Sequence, residues 1–459
     1  MSSVFSHFSA WSQKRSEHSY SSSTAVEKAV SDLNLSQKLW SQLPVNQRKA
    51  ALLTAVRQIE CKKSELAQKA SEEMGKPLAQ AQLEVQKCID TFMYVLEQCD
   101  SFLPQREEVT ANYPKSWIEY VPRGVVLAIM PWNFPFWQIC RASVFSLVQG
   151  NVILFKYSEL VPESSKLWAS CFSSEYFKAL CVPVSQIASL IQDSRISSVT
   201  LTGSVGAGQA VAALCAPLMK HSVLELGGSD VHLVFADAQL DLAAEKILRS
   251  RTQNNGQSCI AAKRVLVHRS VRAQFLEILF EKSSRLCLGE PLSVTTEMSV
   301  LASTRFKEKF EVLGEQLIHR GGQELWRGEE MDHPNFFPLR WVQVEALESL
   351  DWRATEFFCP LGMIDSFETE SEAVLKANCS DFGLAASVYS GDFERAQSVG
   401  SALDVRTVVV NDYLRSDVRL PFSGEKLSGL GYELGAAGAR EFLKLRVLSD
   451  GAPGASEVR

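Results

Sequence analysis

The chain has 459 residues, 46% apolar and 22% charged, and its 47 basic and 53 acidic side chains leave a net charge of −6. That length is too great for one ordinary core, so two or more domains are expected, and without a basic excess nothing points to nucleic acid or an anionic membrane as partner. No apolar run approaches the roughly 20 residues a membrane span requires, and eleven cysteines without paired spacing or a CxxC read as thiols of a reducing cytoplasm, not as a disulfide framework.

The segment from Met1 to Ser23 is Ser-rich, carries Lys14 and Arg15, and has no acid before Glu17. It faintly resembles a transit peptide but reads as a disordered or loosely docked tail. From Ala25 to about Asp100 the pattern is helical, with Leu52, Ala55, Ile59 and then Leu66, Ala70 on one face, until Gly75, Lys76 and Pro77 break the run. Val125 to Ile129 is short and continuously apolar, as a strand covered on both faces of a parallel sheet must be. A helix from about Trp137 to Gln149 closes at Gly150, suited to a left-handed cap, and Val152 to Phe155 forms the next strand. The unit recurs: a strand near Val199 to Thr202, a helix from about Ala207 to Met219, then strands near Val223 to Leu226 and Val231 to Phe235. Such alternation specifies a doubly wound α/β sheet.

A second set follows Cys259: a strand near Arg264 to His268, a helix near Val271 to Arg285, a strand near Leu384 to Tyr389, a helix near Phe393 to Ala402 and a strand at Thr407 to Asn411. A second α/β domain is expected, packed on the first without a long linker, and the cleft between them is the default site.

Four segments carry chemistry. Asn254 to Cys259 places a thiol just after a glycine that lets the backbone turn toward a ligand. Cys259 is the candidate nucleophile, whereas the other ten cysteines read as small buried apolar residues. Glu225 closes a strand before Gly227 and Gly228, where a carboxylate can work at a cleft, although a lone glutamate is more often salt-bridged or solvated. Pro131 to Pro135 is a rigid turn whose Asn133 amide can donate to a developing oxyanion, or simply make an Asx bond. Thr202, Gly203, Ser204 and Gly208 follow a strand and open a helix, where free N–H groups favour a phosphate, though the full GxGxxG spacing is missing.

Together PWNFP (131–135), LTGSVGAG (201–208), LELGG (224–228), NNGQSC (254–259), EFFCP (356–360) and LPFSGEKLSG (420–429) resemble the aldehyde dehydrogenase superfamily over about Ala25 to Leu445. The resemblance implies a Rossmann-like cofactor domain over 1–226, interrupted by a small oligomerisation arm at about 108–122. An α/β catalytic domain would follow over 227–430, and a C-terminal segment, 431–459, would return to the cofactor domain and the arm. It makes Cys259 the nucleophile, Asn133 with the Cys259 N–H the oxyanion hole, and Glu225 the base that activates water. Lys156 and Glu159 match positions that bind the adenosine ribose, Gly203 and Ser204 the pyrophosphate turn, and Glu356 the nicotinamide ribose. Trp132, Leu226 and Phe358 belong to the same cofactor set. Three positions depart from the family pattern: Cys359 and Ser423 stand where glycine is usual, and Leu201 where phenylalanine is.

The implied reaction oxidises a small-molecule aldehyde to an acid through a thioester on Cys259, with NAD, or NADP, as cofactor and no metal. Glu159 favours NAD because a 2′-phosphate would meet like charge there, although Lys156 could partly accommodate it. The segment Asn112 to Val121 matches the arm that pairs subunits, implying a homodimer or homotetramer. Arg141, eight residues after Asn133, shares a helix face with the turn's end; it either pairs with a carboxylate at the domain boundary or reaches the aldehyde tunnel. FWQICR, LELGGSD and CIAAKR resemble the succinate-semialdehyde dehydrogenase branch, in which an arginine at the Arg141 position holds the distal carboxylate. Gln253 stands where some members of that branch carry a second arginine. The rival readings are a dehydrogenase for another aliphatic aldehyde, an acylating enzyme that passes the thioester to coenzyme A, and a non-catalytic binding protein on the same fold.

Overall fold

The computed structural model describes residues 4–102, 106–109, 113, 115–345 and 350–450. Strands that are apolar on both faces assemble first into a sheet ordered Gly429–Leu430, His221–Glu225, Ile196–Thr202, Val125–Ile129, Val152–Lys156, Phe177–Leu180. All its neighbours are parallel except Gly429–Leu430, which runs antiparallel to His221–Glu225. The strand order reverses between Val125–Ile129 and Ile196–Thr202, so the crevice beyond their carboxyl ends is the topological switch point at which open α/β sheets take ligands. The PWNFP turn leaves one of these ends and the Thr202–Ser204 turn leaves the other.

A seven-stranded sheet forms the second half: Gln323–Arg327, Arg340–Gln343, Leu361–Phe367, Arg264–His268, Val231–Val234, Ala385–Tyr389, Thr407–Val410. Val231–Val234, which the alternation groups with the first set of strands, pairs here instead with Arg264–His268 and Ala385–Tyr389. The chain crosses between the sheets at Leu226 to Asp230, where two glycines leave no side chain to block the passage. A third sheet joins Lys115–Pro122 to Leu443–Asp450 over eight antiparallel pairs, with Arg106–Val109 on its other edge. It contains the described part of the segment expected to form the arm; 110–112 and 114 lie outside the described residues, as do 1–3 and 451–459.

The N-terminal segment corrects the expectation of a loose tail. Val4–Phe8 and Arg15–Ser19 form an antiparallel hairpin. Ala10 is fully buried at its turn, its N–H donates to the Glu72 carbonyl, and Trp11 stacks on His333 with 4.8 Å between ring centres. A polar, Ser-rich hairpin gives no apolar alternation, so composition cannot single out the residues that dock it, among them Phe5, His7, Ala10 and Trp11.

The helix Trp137–Val148 is buried all round, and each end is capped accordingly. Glu84, from the helix Leu78–Phe102, accepts the otherwise unpaired N–H groups of Phe136 and Trp137 at 2.9 Å each. Lys76, fully buried, is the ion-pair partner that makes this carboxylate tolerable in the core. At the other end Gly150 adopts φ +100°, as the left-handed cap requires.

Candidate active site

The thiol of Cys259 sits on a turn that few sequences could make. Asn254, Asn255 and Gly256 are all left-handed, with φ of +53°, +56° and +75°. Asparagine tolerates that region better than other side chains because its amide bonds locally, and here both amide nitrogens are engaged. Asn255 Nδ2 donates to the carbonyls of Gly75 and Val300 at 2.7 Å, and Asn254 Nδ2 donates to those of Asn133 and Gln257. Gly256 is required sterically, since a Cβ there would lie 2.5 Å from the Cys359 carbonyl carbon and from Pro360 N. Buried Arg251 ties the turn from below by donating to the Gly256 carbonyl at 2.7 Å. Burial pushes the Cys259 thiol up to about 12, while the charges of Lys263 and Arg141 pull the other way.

Glu225 ends the strand His221–Glu225 and is 2% exposed, and its Oε1 has no hydrogen-bond partner among the described residues. Burial raises its carboxyl well above the ordinary carboxylate range; Arg141 opposes this and Glu433 adds to it. Asn133 is equally buried; its Nδ2 donates to the Gln257 carbonyl at 3.1 Å, which holds the amide beside the nucleophile turn. Lys263 bridges the two halves of the site. Its ammonium donates to the carbonyls of Ser258 and Cys259 at 2.8 and 2.7 Å and lies 3.3 Å from Glu356 Oε1. Glu356 in turn accepts the Gly228 N–H, and Gly228 has to be glycine, since a Cβ there would lie 2.5 Å from the Cys259 carbonyl oxygen.

Several residues expected at the cofactor follow the carboxyl ends of strands of the first sheet. Lys156 is the last residue of its strand, largely buried, and makes no ion pair among the described residues. Glu159 accepts a hydrogen bond from the Tyr20 hydroxyl at 2.7 Å. Ser204 caps the helix Val205–Cys215 through the Ala207 N–H, and a Cβ added at Gly206 would meet nothing within 4 Å, so this helix end has room for a phosphate. Leu226 closes on Gly208 so tightly that a Cβ there would lie 2.4 Å from the leucine side chain. Trp132 stands edge-on to Phe358 at 5.9 Å and stacks on Phe306 at 4.9 Å, a flat apolar wall at the nucleophile end. A helix end with room for a phosphate, a cation without an ion pair among the described residues, a nearby carboxylate and a pair of aromatic contacts together fit a dinucleotide.

A cavity of about 590 Å³ opens on Cys259 and is lined by Phe134, Arg141, Lys87, Phe422 and the exposed rim residues Arg249 and Arg415. That size suits a small organic ligand. Arg141 lies at a cavity and in an ion pair at once. It lines this cavity, and its Nε pairs with Glu433, both side chains being 2% exposed, while Nη2 donates to Gln138 Oε1 at 2.7 Å. The three departures from the family pattern are absorbed locally: Cys359 is fully buried, Ser423 donates to the Gly431 carbonyl, and Leu201 packs under Gly203. Sequence reasoning passed over Lys263, Arg251, Glu433 and the Lys76–Glu84 pair. Lys263 and Arg251 are charges next to apolar segments, a signal available in the sequence; the partners of Arg141 and Lys76 were not.

Against known proteins, residues 9–448 match the aldehyde dehydrogenase family. A probable succinate-semialdehyde dehydrogenase [NADP(+)] of Synechocystis sp. is 36% identical over 425 residues, covering 91% of this chain and 93% of that protein. The crystal structure of succinic semialdehyde dehydrogenase from Streptococcus pyogenes in complex with NADP+ superimposes with a TM-score of 0.92 at 26% identity, over 97% of this chain and 99% of the other. Betaine aldehyde dehydrogenase from Staphylococcus aureus in complex with NAD+ gives 0.92 at 25% identity, over 99% and 93%.

Proposed function

Because the chain belongs to the aldehyde dehydrogenase family, and so oxidises aldehydes with NAD(P), we propose that its substrate is a short aldehyde ending in a carboxylate, succinate semialdehyde foremost. The observation that supports this reading is the cavity that opens on Cys259 with the Arg141 guanidinium on its inner wall. Relatives that carry the name succinate-semialdehyde dehydrogenase point the same way.

In this reading the Cys259 sulfur, on losing its proton, forms a bond to the aldehyde carbon. The resulting alkoxide is held by the second N–H of the Asn133 amide and by the Cys259 N–H. Bound NAD(P) supplies the hydride acceptor, held by Lys156 and Glu159 at one end, Gly203 and Ser204 at the phosphates, and Glu356 with Trp132, Leu226 and Phe358 at the other. Glu225 then takes a proton from water, whose oxygen attacks the thioester carbon; the C–S bond breaks and the thiol is restored. A carboxyl raised by burial is suited to that task near neutral pH. The sheet of Lys115–Pro122 and Leu443–Asp450, with Leu445 and Val447 exposed, is the face we assign to subunit pairing.

The test is an aldehyde panel read by the absorbance of the reduced nicotinamide. The expected result is a kcat/KM for succinate semialdehyde at least about tenfold above that for butanal, as one charge-assisted contact supplies. Equal efficiency with the two aldehydes overturns the reading. Coenzyme A should not accelerate turnover; a dependence on it would favour the acylating alternative.

A further inference from the structure

Of the charges that line the cavity, Glu245, Arg249 and Glu297 are exposed and make no ion pair among the described residues, whereas the others pair off with one exception. Glu84 is matched by Lys76 and Arg141 by Glu433. Arg415, at the rim, is matched by Asp412, and Asp417 is held by Arg419. On the inner wall this leaves Lys87. It lies on the helix Leu78–Phe102, one turn after Glu84, and makes no ion pair among the described residues. Its ammonium donates to Ser416 Oγ at 2.8 Å and stands 4.1 Å above the centre of the Trp137 ring. Both contacts favour a charged amine and neither neutralises it: a hydroxyl accepts one proton, and an aromatic face offers only its quadrupole.

A half-buried cation without an anion costs free energy unless the functional state supplies one. Arg141 cannot fill this need alone, because its charge is spent on Glu433; a substrate carboxylate facing only the Arg141–Glu433 pair would leave the pocket one negative charge in excess. Lys87 together with the Arg141–Glu433 pair carries one net positive charge, the complement of one carboxylate.

We infer that Lys87 is the counter-ion for the distal carboxylate of the substrate, with Arg141 shaping the pocket beside it. The inference rests on the proposed carboxylate-bearing aldehyde. Ser416 and Trp137 hold the amine in place, leaving two of its three protons for the ligand.

The experiment compares kcat/KM for succinate semialdehyde and butanal, expressed as a ratio, in wild type, Lys87→Met and Lys87→Arg. The ratio is read within each preparation, so loss of folded enzyme cancels. In Lys87→Met the ratio should fall by at least about tenfold, chiefly through KM for the charged aldehyde, and Lys87→Arg should keep most of it. A wild-type ratio well above one that survives in Lys87→Met overturns the assignment of Lys87 alone. A wild-type ratio near one overturns the substrate reading, and this inference with it.

Discussion

Replacing Glu433 by glutamine tests whether the ion pair with Arg141 sets the working range of Glu225. The Glu225 carboxyl is raised by burial first; Arg141 draws it down and Glu433 pushes it up. Glu433→Gln removes the upward push and leaves Arg141 acting on Glu225 without a competing anion. Removing a like charge beside a carboxylate favours its ionised form, so the acid limb of the hydrolytic step should move to lower pH. On that limb one unit is about tenfold in the ionised fraction of the base, or about 1.36 kcal/mol. Glutamine cannot neutralise Arg141, however, and an unpaired charge at 2% exposure costs about 3–5 kcal/mol of stability. At about 2.1 cal/mol/K per residue, 459 residues give an unfolding entropy near 1 kcal/mol/K, so Tm should fall by roughly 3–5 °C. The assay is the steady-state rate with butanal as a function of pH, beside calorimetry; butanal has no carboxylate and so reports the base alone. The double variant Arg141→Met, Glu433→Gln removes pull and push together, and its limb should return to higher pH. A limb that stays in place, or moves up, in Glu433→Gln refutes the tuning and reduces the pair to a structural clamp.

Glu225→Gln should give a burst of reduced nicotinamide followed by a stall, because only hydrolysis of the thioester loses its base; absence of the burst assigns Glu225 to an earlier step. NAD should be preferred over NADP in kcat/KM, since Glu159, held by the Tyr20 hydroxyl, would face a 2′-phosphate with like charge, and Glu159→Gln should narrow the gap. Equal efficiency with the two cofactors in wild type defeats that argument. With its thiol pushed up to about 12, Cys259 in the cofactor-free enzyme should be alkylated by iodoacetamide at a rate that keeps rising, about tenfold per pH unit, between pH 7 and 9. Cys259→Ala supplies the background, and a plateau near pH 7 would show a thiolate already formed.

How much of this was legible in the sequence follows from what each element needs. Val125–Ile129 and Arg264–His268 have the bounds expected from their apolar runs, because a strand buried on both faces announces itself. Gln323–Arg327 was missed: it is an edge strand of sequence QELWR, polar where it meets solvent. Leu361–Phe367 was missed as well, for it carries Gly362 under the Trp341 ring and Asp365 paired with Lys376, both signs that ordinarily mark a loop. In the site, residues whose role depends on backbone geometry lay in recognisable motifs, whereas residues whose role depends on a distant charge did not. The Arg141–Glu433 pair and the Lys76–Glu84 pair with its cap on Phe136 and Trp137 join different elements and leave no period in the chain.

That division has a physical origin in the nucleophile turn. A non-glycine residue in the left-handed region costs about 1 kcal/mol or more, and two stand in succession here at Asn254 and Asn255. Such a turn persists only where its surroundings over-determine it, and it draws carbonyls from three separate places: Gly75 at the end of the helix Lys63–Met74, Val300 in the second half of the chain, and Asn133 in the turn after Val125–Ile129. The turn is therefore correct only when both halves are docked. The same contacts that hold Cys259 also hold the Asn133 amide beside it, so the nucleophile and the oxyanion donor form as a unit when the interface closes. A short motif can encode the strain, but only the assembled interface can relieve it, and hence the motif read as chemistry long before its neighbours could be named.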